Sequence, residues 1–213
     1  ITKIYQSSDN TIWVATYGGG VSRHFPHSRR FESYGLHSKV NEGLIDPILY
    51  SLHEGFDHSI WIGTEFGKLS KLDPDTGKFT HFPFIVEGKE FTSPIRSILE
   101  IDRNTLLLGT SKGVYRYNKE SKTSVGFKDD FLSLKLATEF VSLDQNNRIW
   151  IGVKNKGVRV YESVSSEKPF YYKNLEFLVK DVKAIDHIND HQSLIATTNN
   201  GLFKVTVTHA EIE

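Results

Sequence analysis

The sequence contains no cysteine among its 213 residues. This absence excludes disulfide bonds, metal sites built on thiolates and a cysteine nucleophile. It does not distinguish a cytosolic protein from a periplasmic one. The aromatic residues, 14 Phe, 9 Tyr and 3 Trp, instead suit a protein built on aromatic and β-branched packing.

The sequence also lacks an excess of either charge, because 26 Lys and Arg balance 26 Asp and Glu. Without a net field, nucleic acid and anionic lipid are removed as default partners. No stretch approaches the roughly 18 apolar residues of a membrane span, and no signal peptide is evident. Because Ile1 is not an initiator residue, we expect the chain to be a piece of a longer protein.

One phrase recurs five times along the chain. A turn containing Asp or Asn leads into a short apolar run. Trp or Leu occupies the same position of each run, and the run most often ends in Gly-Thr or Ala-Thr. The five copies are Asp9–Thr16, Asp57–Thr64, Asn104–Thr110, Asn147–Val153 and Asp190–Thr197. Equivalent positions recur every 40 to 50 residues or so, about the length of a propeller blade.

The flanks of each copy keep the same register. An apolar pair three residues apart lies upstream: Ile1/Ile4, Leu49/Leu52, Ile95/Ile98, Ala137/Phe140 and Val182/Ile185. A glycine turn lies downstream, at Gly20, Gly67, Gly113, Gly157 and Gly201. The alternation that follows, as in Val114–Tyr117 and Val158–Tyr161, is typical of half-buried strands. A variable fourth strand fits Phe31–Tyr34, Phe79–Phe82 and Phe170–Tyr172.

Each unit therefore predicts four antiparallel strands, and the chain predicts an all-β fold, a single β-propeller segment over residues 1–213. The expected blades are 1–46, 47–93, 94–136, 137–181 and 182–213. After the last third strand, either residues 209–213 supply a poor fourth strand or further blades follow. We favour the second, as part of a propeller of about seven blades.

These repeats closely resemble the two-component regulator propeller repeat. Its pattern is an apolar pair, an Asp-Gly-type hairpin, then Leu-Trp-Ile-Gly-Thr and a Gly-Gly-Leu-type turn. The stretches Ile60–Thr64 and Ile12–Thr16 match it most closely, and the resemblance extends over essentially the whole chain. Leu107, Leu194 and Val153 depart from it, the first two in place of Trp and the third in place of Thr.

The resemblance implies the periplasmic sensor region of a bacterial hybrid two-component histidine kinase, of the Bacteroidetes type. Such a region recognises oligosaccharides and signals to cytoplasmic kinase and transcription-regulator modules, which this chain does not contain. The implied partners are a glycan, the remaining blades and β-sandwich of the same receptor, and a second copy in a homodimer. No cofactor and no catalysis by this chain are implied.

Two other functions stay open. The propeller could be a protein-interaction or structural scaffold without a small ligand. It could also be an enzyme, which would need convergent acidic residues or a metal near a central channel, and no such set is evident in the sequence.

Two residue sets have a structural interpretation beside a functional one. Trp13, Trp61 and Trp150 could stack on sugars, but their identical places predict a blade core, together with Leu107 and Leu194. His187 and His191, interleaved with Asp186 and Asp190, superficially suggest a metal site. On strands flanking a hairpin that spacing does not bring the side chains together, so we expect turn chemistry and no metal.

Ligand contacts are expected on loops, because a rigid frame with variable loops is how such folds acquire function. The turns between second and third strands supply Tyr17, Glu65, Phe66, Lys112, Lys154, Asn155 and Asn199. Connections at the same end supply His37, Asn41, Glu42, Glu87, Lys89 and Asp129. These residues differ from repeat to repeat, as those of a recognition surface do and as those of ordinary solvated loops also do.

Overall fold

The computed structural model of the chain describes residues 1–26, 31–36, 43–127, 136–162, 181–208 and 211–212. Every regular element within these ranges is a β-strand, and the strands form five sheets with the serial order of propeller blades. The predicted all-β propeller class is confirmed. In the same ranges, no helix is long and apolar enough to cross a membrane.

The first two sheets each contain four antiparallel strands in chain order. The first sheet consists of β1 (Lys3–Gln6), β2 (Ile12–Ala15), β3 (Val21–His24) and β4 (Phe31–Tyr34). The second consists of β5 (Leu49–Glu54), β6 (Ile60–Thr64), β7 (Leu69–Leu72) and β8 (Phe79–Phe82).

The third sheet has six strands, because a short hairpin joins its outer edge. The hairpin consists of β9 (Ile85–Val86) and β10 (Lys89–Glu90), and β9 pairs in parallel with β14. The other strands are β11 (Ile95–Asp102), β12 (Thr105–Thr110), β13 (Gly113–Asn118) and β14 (Thr123–Gly126). Nothing in the repeat pattern predicts this added hairpin.

The fourth and fifth sheets continue the pattern. The fourth contains β15 (Thr138–Leu143), β16 (Ile149–Val153) and β17 (Gly157–Tyr161), and the fourth strand expected at Phe170–Tyr172 lies outside the described residues. The fifth contains β18 (Val182–His187), β19 (Gln192–Thr197), β20 (Leu202–Thr208) and the two-residue β21 (Glu211–Ile212).

Two compact units make up the chain. The first comprises residues 1–108 and 115–125, and the second comprises residues 109–114 and 126–213. The first unit contains the first and second sheets, and the second unit contains the fourth and fifth sheets.

The turn between the first two strands of a sheet has one construction in three of the sheets. The aspartates Asp9, Asp57 and Asp144 accept hydrogen bonds from backbone amides of their own turns. The residue in the left-handed conformation is Asn10, His58 or Asn147, with φ of 66°, 61° and 60°. Asp suits these turns because its short side chain reaches backbone amides two residues on, and Asn tolerates positive φ.

Cores form where the tryptophan-bearing face of one sheet meets the aliphatic face of the next. In the first unit, Trp13 belongs to a buried cluster with Leu49, Leu52 and Ile60 of the second sheet. Trp61 likewise clusters with residues of β11 and β12. In the second unit, Trp150 lies in a cluster with residues of the fifth sheet.

Leu194 departs from the predicted core set. It is only half-buried, whereas its neighbours Ser193 and Ile195 are buried. Side chains alternate across a sheet, so Leu194 lies on the face opposite Ile195. No sheet among the described residues covers that face, and Leu202 is exposed as well.

Polar ties between neighbouring sheets repeat within the first unit. Glu54, at the end of β5, accepts hydrogen bonds from the backbone nitrogen and hydroxyl of Ser8, both at 2.7 Å. Glu100 of β11 accepts one from the backbone nitrogen of Phe56 at 2.5 Å. The backbone N–H of Glu100 also donates to Nε2 of His53 at 3.0 Å. Adjacent sheets are thus held in register by hydrogen bonds as well as by packing.

The stability of the first unit should decrease in acid because of His53. Burial lowers the pKa of His53 from 6.5 to about 4, so between these values the unfolded chain binds a proton that the folded chain does not. The contribution of neutral His53 to the free energy of unfolding is fully present above pH 6.5. It is lost as the pH falls to 4, by up to about 3 kcal/mol.

Urea unfolding above pH 6.5 and at pH 4 measures this loss of stability in the wild type and in His53→Gln. The amide oxygen of Gln replaces the hydrogen-bond acceptor without titrating. The variant should lose less stability between these two pH values, and a variant of the exposed His191, His191→Gln, serves as the substitution control. An equal acid loss in wild type and His53→Gln would contradict the assignment.

Tyr117 offers a second stability test. Its ring is fully buried, and its hydroxyl has no hydrogen-bond partner within the described residues. Burial raises its pKa to about 12. Removing an unpaired buried hydroxyl without changing the ring's shape removes a desolvation cost, so Tyr117→Phe should stabilise the chain by about 1 kcal/mol. Denaturant unfolding measures the change, and a clear destabilisation would show that the hydroxyl is bonded.

Candidate functional site

The connection end of a sheet is the end where the second strand turns into the third and where chain enters from the preceding sheet. In the first unit, residues 46–48 run between two such turns. The backbone nitrogen of Gly18 donates to the carbonyl of Pro47 at 3.0 Å, and that of Glu65 donates to the carbonyl of Ile48 at 3.0 Å. The turn carrying Tyr17 and the turn carrying Glu65 and Phe66 are therefore both fixed to one strip of backbone.

Asp46 joins the backbone strip to the turn that carries Phe66. Its carboxylate accepts from the backbone nitrogen of Ile48 at 2.9 Å and from that of Phe66 at 3.1 Å. Asp46 is buried, so both oxygens are used in a dry environment where each bond is hard to replace. The turn at Phe66 thus has a fixed backbone although its side chain faces solvent.

Large apolar side chains project from this frame. Tyr17 is 69% exposed and Phe66 is 55% exposed, and Ile45 beside them is exposed as well. A rigid aromatic ring in solvent offers an apolar face at low entropic cost, which suits stacking against a ligand. The connection end of the first unit thus displays two aromatic rings on backbone that is already ordered.

A polar group lies next to these rings. The carboxylate of Glu65 accepts a hydrogen bond from the hydroxyl of Tyr50, and this bond raises the pKa of Tyr50. The guanidinium of Arg96 lies 5.8 Å from the centre of the Tyr50 ring. The other oxygen of Glu65, Oε2, is buried and has no partner among the residues that the structure describes. A carboxylate, a phenol and a guanidinium are thus combined with two exposed rings.

The remaining predicted turn residues belong to the second unit, and each is exposed. The backbone of Lys154 donates to the carbonyl of Ala137 at 2.8 Å, and that of Thr198 donates to the carbonyl of Asp181 at 3.0 Å. The turns of Lys154, Asn155 and Asn199 are therefore tied to a connection in the same way as those of the first unit. The backbone nitrogen of Lys112 donates to the hydroxyl of Thr110 at 3.1 Å.

The connection residues divide into two groups. Glu87 and Lys89 lie in the β9–β10 hairpin, where Glu87 has a φ of 50°. The others lie outside the described residues: His37, Asn41, Glu42 and Asp129.

The Trp rings and the His187 imidazole are engaged within the fold. Trp13, Trp61 and Trp150 are 2%, 2% and 0% exposed, which leaves no ring face for a sugar. His187 uses both ring nitrogens, with the hydroxyl of Ser193 at 2.8 Å and that of Ser142 at 3.0 Å. Within the described ranges, no three His, Asp or Glu side chains converge as a metal site requires.

Sequence reasoning missed Asp46, Tyr50 and Arg96. Tyr50 and Arg96 each follow the first member of an apolar pair, Leu49 and Ile95, so they lie on the other face of the first strand. That position changes from sheet to sheet while the pair is kept, and this variation is the signal that could have found them.

Removing Asp46 should loosen the site. Asp46→Ala deletes two buried acceptors, and we expect the free energy of unfolding to fall by about 2 to 4 kcal/mol. Amide hydrogen exchange at Ile48 and Phe66 should accelerate, with Asp46→Asn intermediate because its amide keeps one acceptor. Asp102→Ala is the control, since among the described residues Asp102 accepts a bond from Asn104 of its own turn and from no other segment. An unchanged amide-exchange rate at Phe66 in Asp46→Ala would contradict the role of Asp46 in ordering this turn.

Comparison with known proteins identifies the fold. No protein-family model and no curated protein sequence matches the chain. Solved structures do match. The extracellular domain of the hybrid two-component system BT4673 from B. thetaiotaomicron aligns with a TM-score of 0.72 at 19% identity, over 94% of this chain and 26% of that one.

Two further solved structures align over a similar share of the chain. The extracellular domain of the hybrid two-component system BT3049 from B. thetaiotaomicron gives a TM-score of 0.73 at 20% identity, over 96% of this chain and 27% of that one. PorZ, a surface component of the type-IX secretion system of Porphyromonas gingivalis, gives 0.67 at 14% identity, over 94% and 31%. The chain thus spans about a quarter to a third of these proteins. The WD40 β-propeller domain of Doa1 also aligns, with a TM-score of 0.62 at 8% identity over 95% of this chain and 63% of that one, so the likeness shows that the fold is that of a β-propeller.

Proposed function

We propose that this chain is an extracytoplasmic ligand-sensing segment of a bacterial hybrid two-component receptor, and that it recognises oligosaccharides at the connection end of the first unit. The observation that carries the proposal is the pair of exposed rings, Tyr17 and Phe66, held on ordered backbone beside Glu65 and Arg96. Two of the similar structures are extracellular domains of hybrid two-component systems, which supports a sensor role.

The chemistry of the site suits a sugar. The apolar face of a pyranose ring packs on an aromatic side chain, while its hydroxyls need acceptors such as Glu65 and donors such as Arg96 and Tyr50. Binding to an ordered frame avoids much of the entropic cost of immobilising a loop. The bound sugar then stabilises the receptor conformation that it prefers, and that shift is the signal.

The proposed setting is the periplasm, with a cytoplasmic histidine kinase and transcription-regulator modules in the parent protein. A homodimer of the receptor and the remaining propeller blades and β-sandwich are proposed partners. The chain itself has no catalytic role in this scheme, because it supplies recognition only.

A protein-interaction scaffold is the second candidate. The exposed Tyr17, Ile45 and Phe66 form an apolar strip that would serve a protein partner equally well. PorZ, which is a bacterial surface component of a secretion system, shares the fold. Self-association in sedimentation without any response to glycans favours this function over sensing.

A thermal-shift screen against purified plant and host oligosaccharides tests the proposal. A glycan at about a hundred times its Kd should stabilise the folded chain by roughly 2.7 kcal/mol. Tyr17→Ala and Phe66→Ala should each weaken binding about tenfold or more, because each deletes a stacking face.

Phe56→Ala is the matched control, since Phe56 is also an exposed phenylalanine but lies in the β5–β6 turn at the other end of its sheet. Equal weakening by Phe56→Ala, or full affinity in both site variants, would place recognition elsewhere.

A further inference from the structure

A cavity of about 430 Å³ opens at the hairpin end of the first unit, opposite the connection end. It lies between the first and second sheets, and we call it the first cleft. Trp13, Phe25 and Ile60 supply apolar lining, while Asp9, Glu54, His58 and Asp75 supply polar lining. Its volume is that of sites for small molecules.

Two hydrogen-bonded ties between the sheets involve residues that line the first cleft. The guanidinium of Arg23 donates to the carbonyl of Pro74, and Glu54 accepts from Ser8. Arg23 is also paired with Glu32 at 2.6 Å and lies 4.5 Å from the centre of the Phe25 ring. The charge of Arg23 is therefore already neutralised within the wall.

The hairpin end of the second and third sheets carries the corresponding residues, and we call this place the second cleft. The β7–β8 and β13–β14 turns have the same construction. Asp73 Oδ1 accepts from the amides of Asp75 and Thr76, and Asn118 Oδ1 accepts from those of Glu120 and Ser121. The residue after the cap is Pro74 in the first cleft and Lys119 in the second.

Two lysine ammonium groups lie in the second cleft. That of Lys119 pairs with the buried carboxylate of Glu100 and lies 5.8 Å from the centre of the Trp61 ring. That of Lys71 pairs with Asp57 and lies 5.6 Å from the same ring. Each carboxylate of this cleft therefore has an ammonium partner above an indole.

The first cleft has the same carboxylates, but the cation beside its indole is paired differently. Arg23 takes the place of Lys71, since it lies opposite Trp13 as Lys71 lies opposite Trp61, and its guanidinium is 5.9 Å from the centre of the Trp13 ring. Its ion pair is with Glu32.

Glu54 corresponds to Glu100, since each accepts a backbone N–H from the preceding sheet, and Asp9 corresponds to Asp57. Across the described ranges, neither Glu54 nor Asp9 forms an ion pair with lysine or arginine. Glu54 binds only the imidazole of His58 in this way, at 2.9 Å, and that side chain is 77% exposed.

We propose that the first cleft is a second binding site, which takes a small molecule through a primary ammonium group placed at Glu54 as the Lys119 ammonium is placed at Glu100. Pro74 leaves this place open, and the exposed His58 is displaced as the ligand enters. Charge-assisted bonds from an ammonium to a carboxylate are stronger than those from neutral hydroxyls, so the ammonium group decides affinity. Amino sugars and aliphatic diamines share this chemistry and fit the volume.

Isothermal titration of the whole chain distinguishes these sources and tests the chemistry. The probes are glucosamine and putrescine, each beside a neutral counterpart, N-acetylglucosamine and butanediol. At least one ammonium probe should bind, about tenfold or more tighter than its counterpart, and the probe that binds better identifies the source. Equal binding of the neutral counterparts overturns the proposal, and so does the failure of both ammonium probes to bind.

Substitutions at position 74 locate the site. Pro74→Lys supplies the ammonium from the chain itself, as Lys119 does, and should weaken binding of the probe about tenfold or more, whereas Pro74→Ala should bind as the wild type does. The complementary change, Lys119→Ala, should open the second cleft and add a second binding event. Wild-type affinity in a folded Pro74→Lys variant would overturn the assignment.

These readouts are separate from the proposed glycan recognition. The first cleft lies at the end of the sheets opposite Tyr17 and Phe66, so Tyr17→Ala should leave amine binding unchanged. Loss of amine binding in that variant would show that the two ligands share the connection end, and the first cleft would then not be the site.

Discussion

The packing of an indole-bearing sheet face against the aliphatic face of the following sheet is the contact on which the remainder depends. Trp13 meets Leu49 and Leu52 in this way in the first unit, and Trp150 meets Val182 in the second. Both faces of an inner sheet are buried against its neighbours. A ligand can therefore contact such a sheet at the turns of its two ends. The polar ties at Glu54 and Glu100 keep those ends in register.

The two ends of the first unit are built differently and suit different ligands. At the connection end, Asp46 orders the backbone while Tyr17 and Phe66 remain in solvent, so the side chains vary freely on a fixed frame. At the hairpin end, carboxylates tie neighbouring sheets together. Glu100 also forms an ion pair with Lys119 of the chain, and in the cleft that carries Pro74 we propose that the ammonium group of a ligand takes the corresponding place at Glu54.

The repeat was sufficient to predict strands, their order and the class of fold, because a periodic phrase reports the contacts that every sheet makes. Features that occur in only one repeat were not predictable in this way. The β9–β10 hairpin interrupts no repeat, and Arg96 occupies a position with no constant residue type. Leu194 has the residue type of a core position yet is half-buried, because burial also requires a covering sheet. Tyr17, Glu65 and Phe66 were predicted individually, but their common attachment to residues 46–48 depends on contacts between segments that are distant in sequence.

Amide chemical shifts of a glycan complex would locate the sugar on the chain. The isotope-labelled chain is titrated with the oligosaccharide that gives the largest thermal shift. We expect perturbations centred on residues 17–18, 46–50 and 65–66, with little change at the hairpin-end residues 8–9 and 56–58. Perturbations confined to the hairpin end, or to the second unit, would contradict recognition at Tyr17 and Phe66.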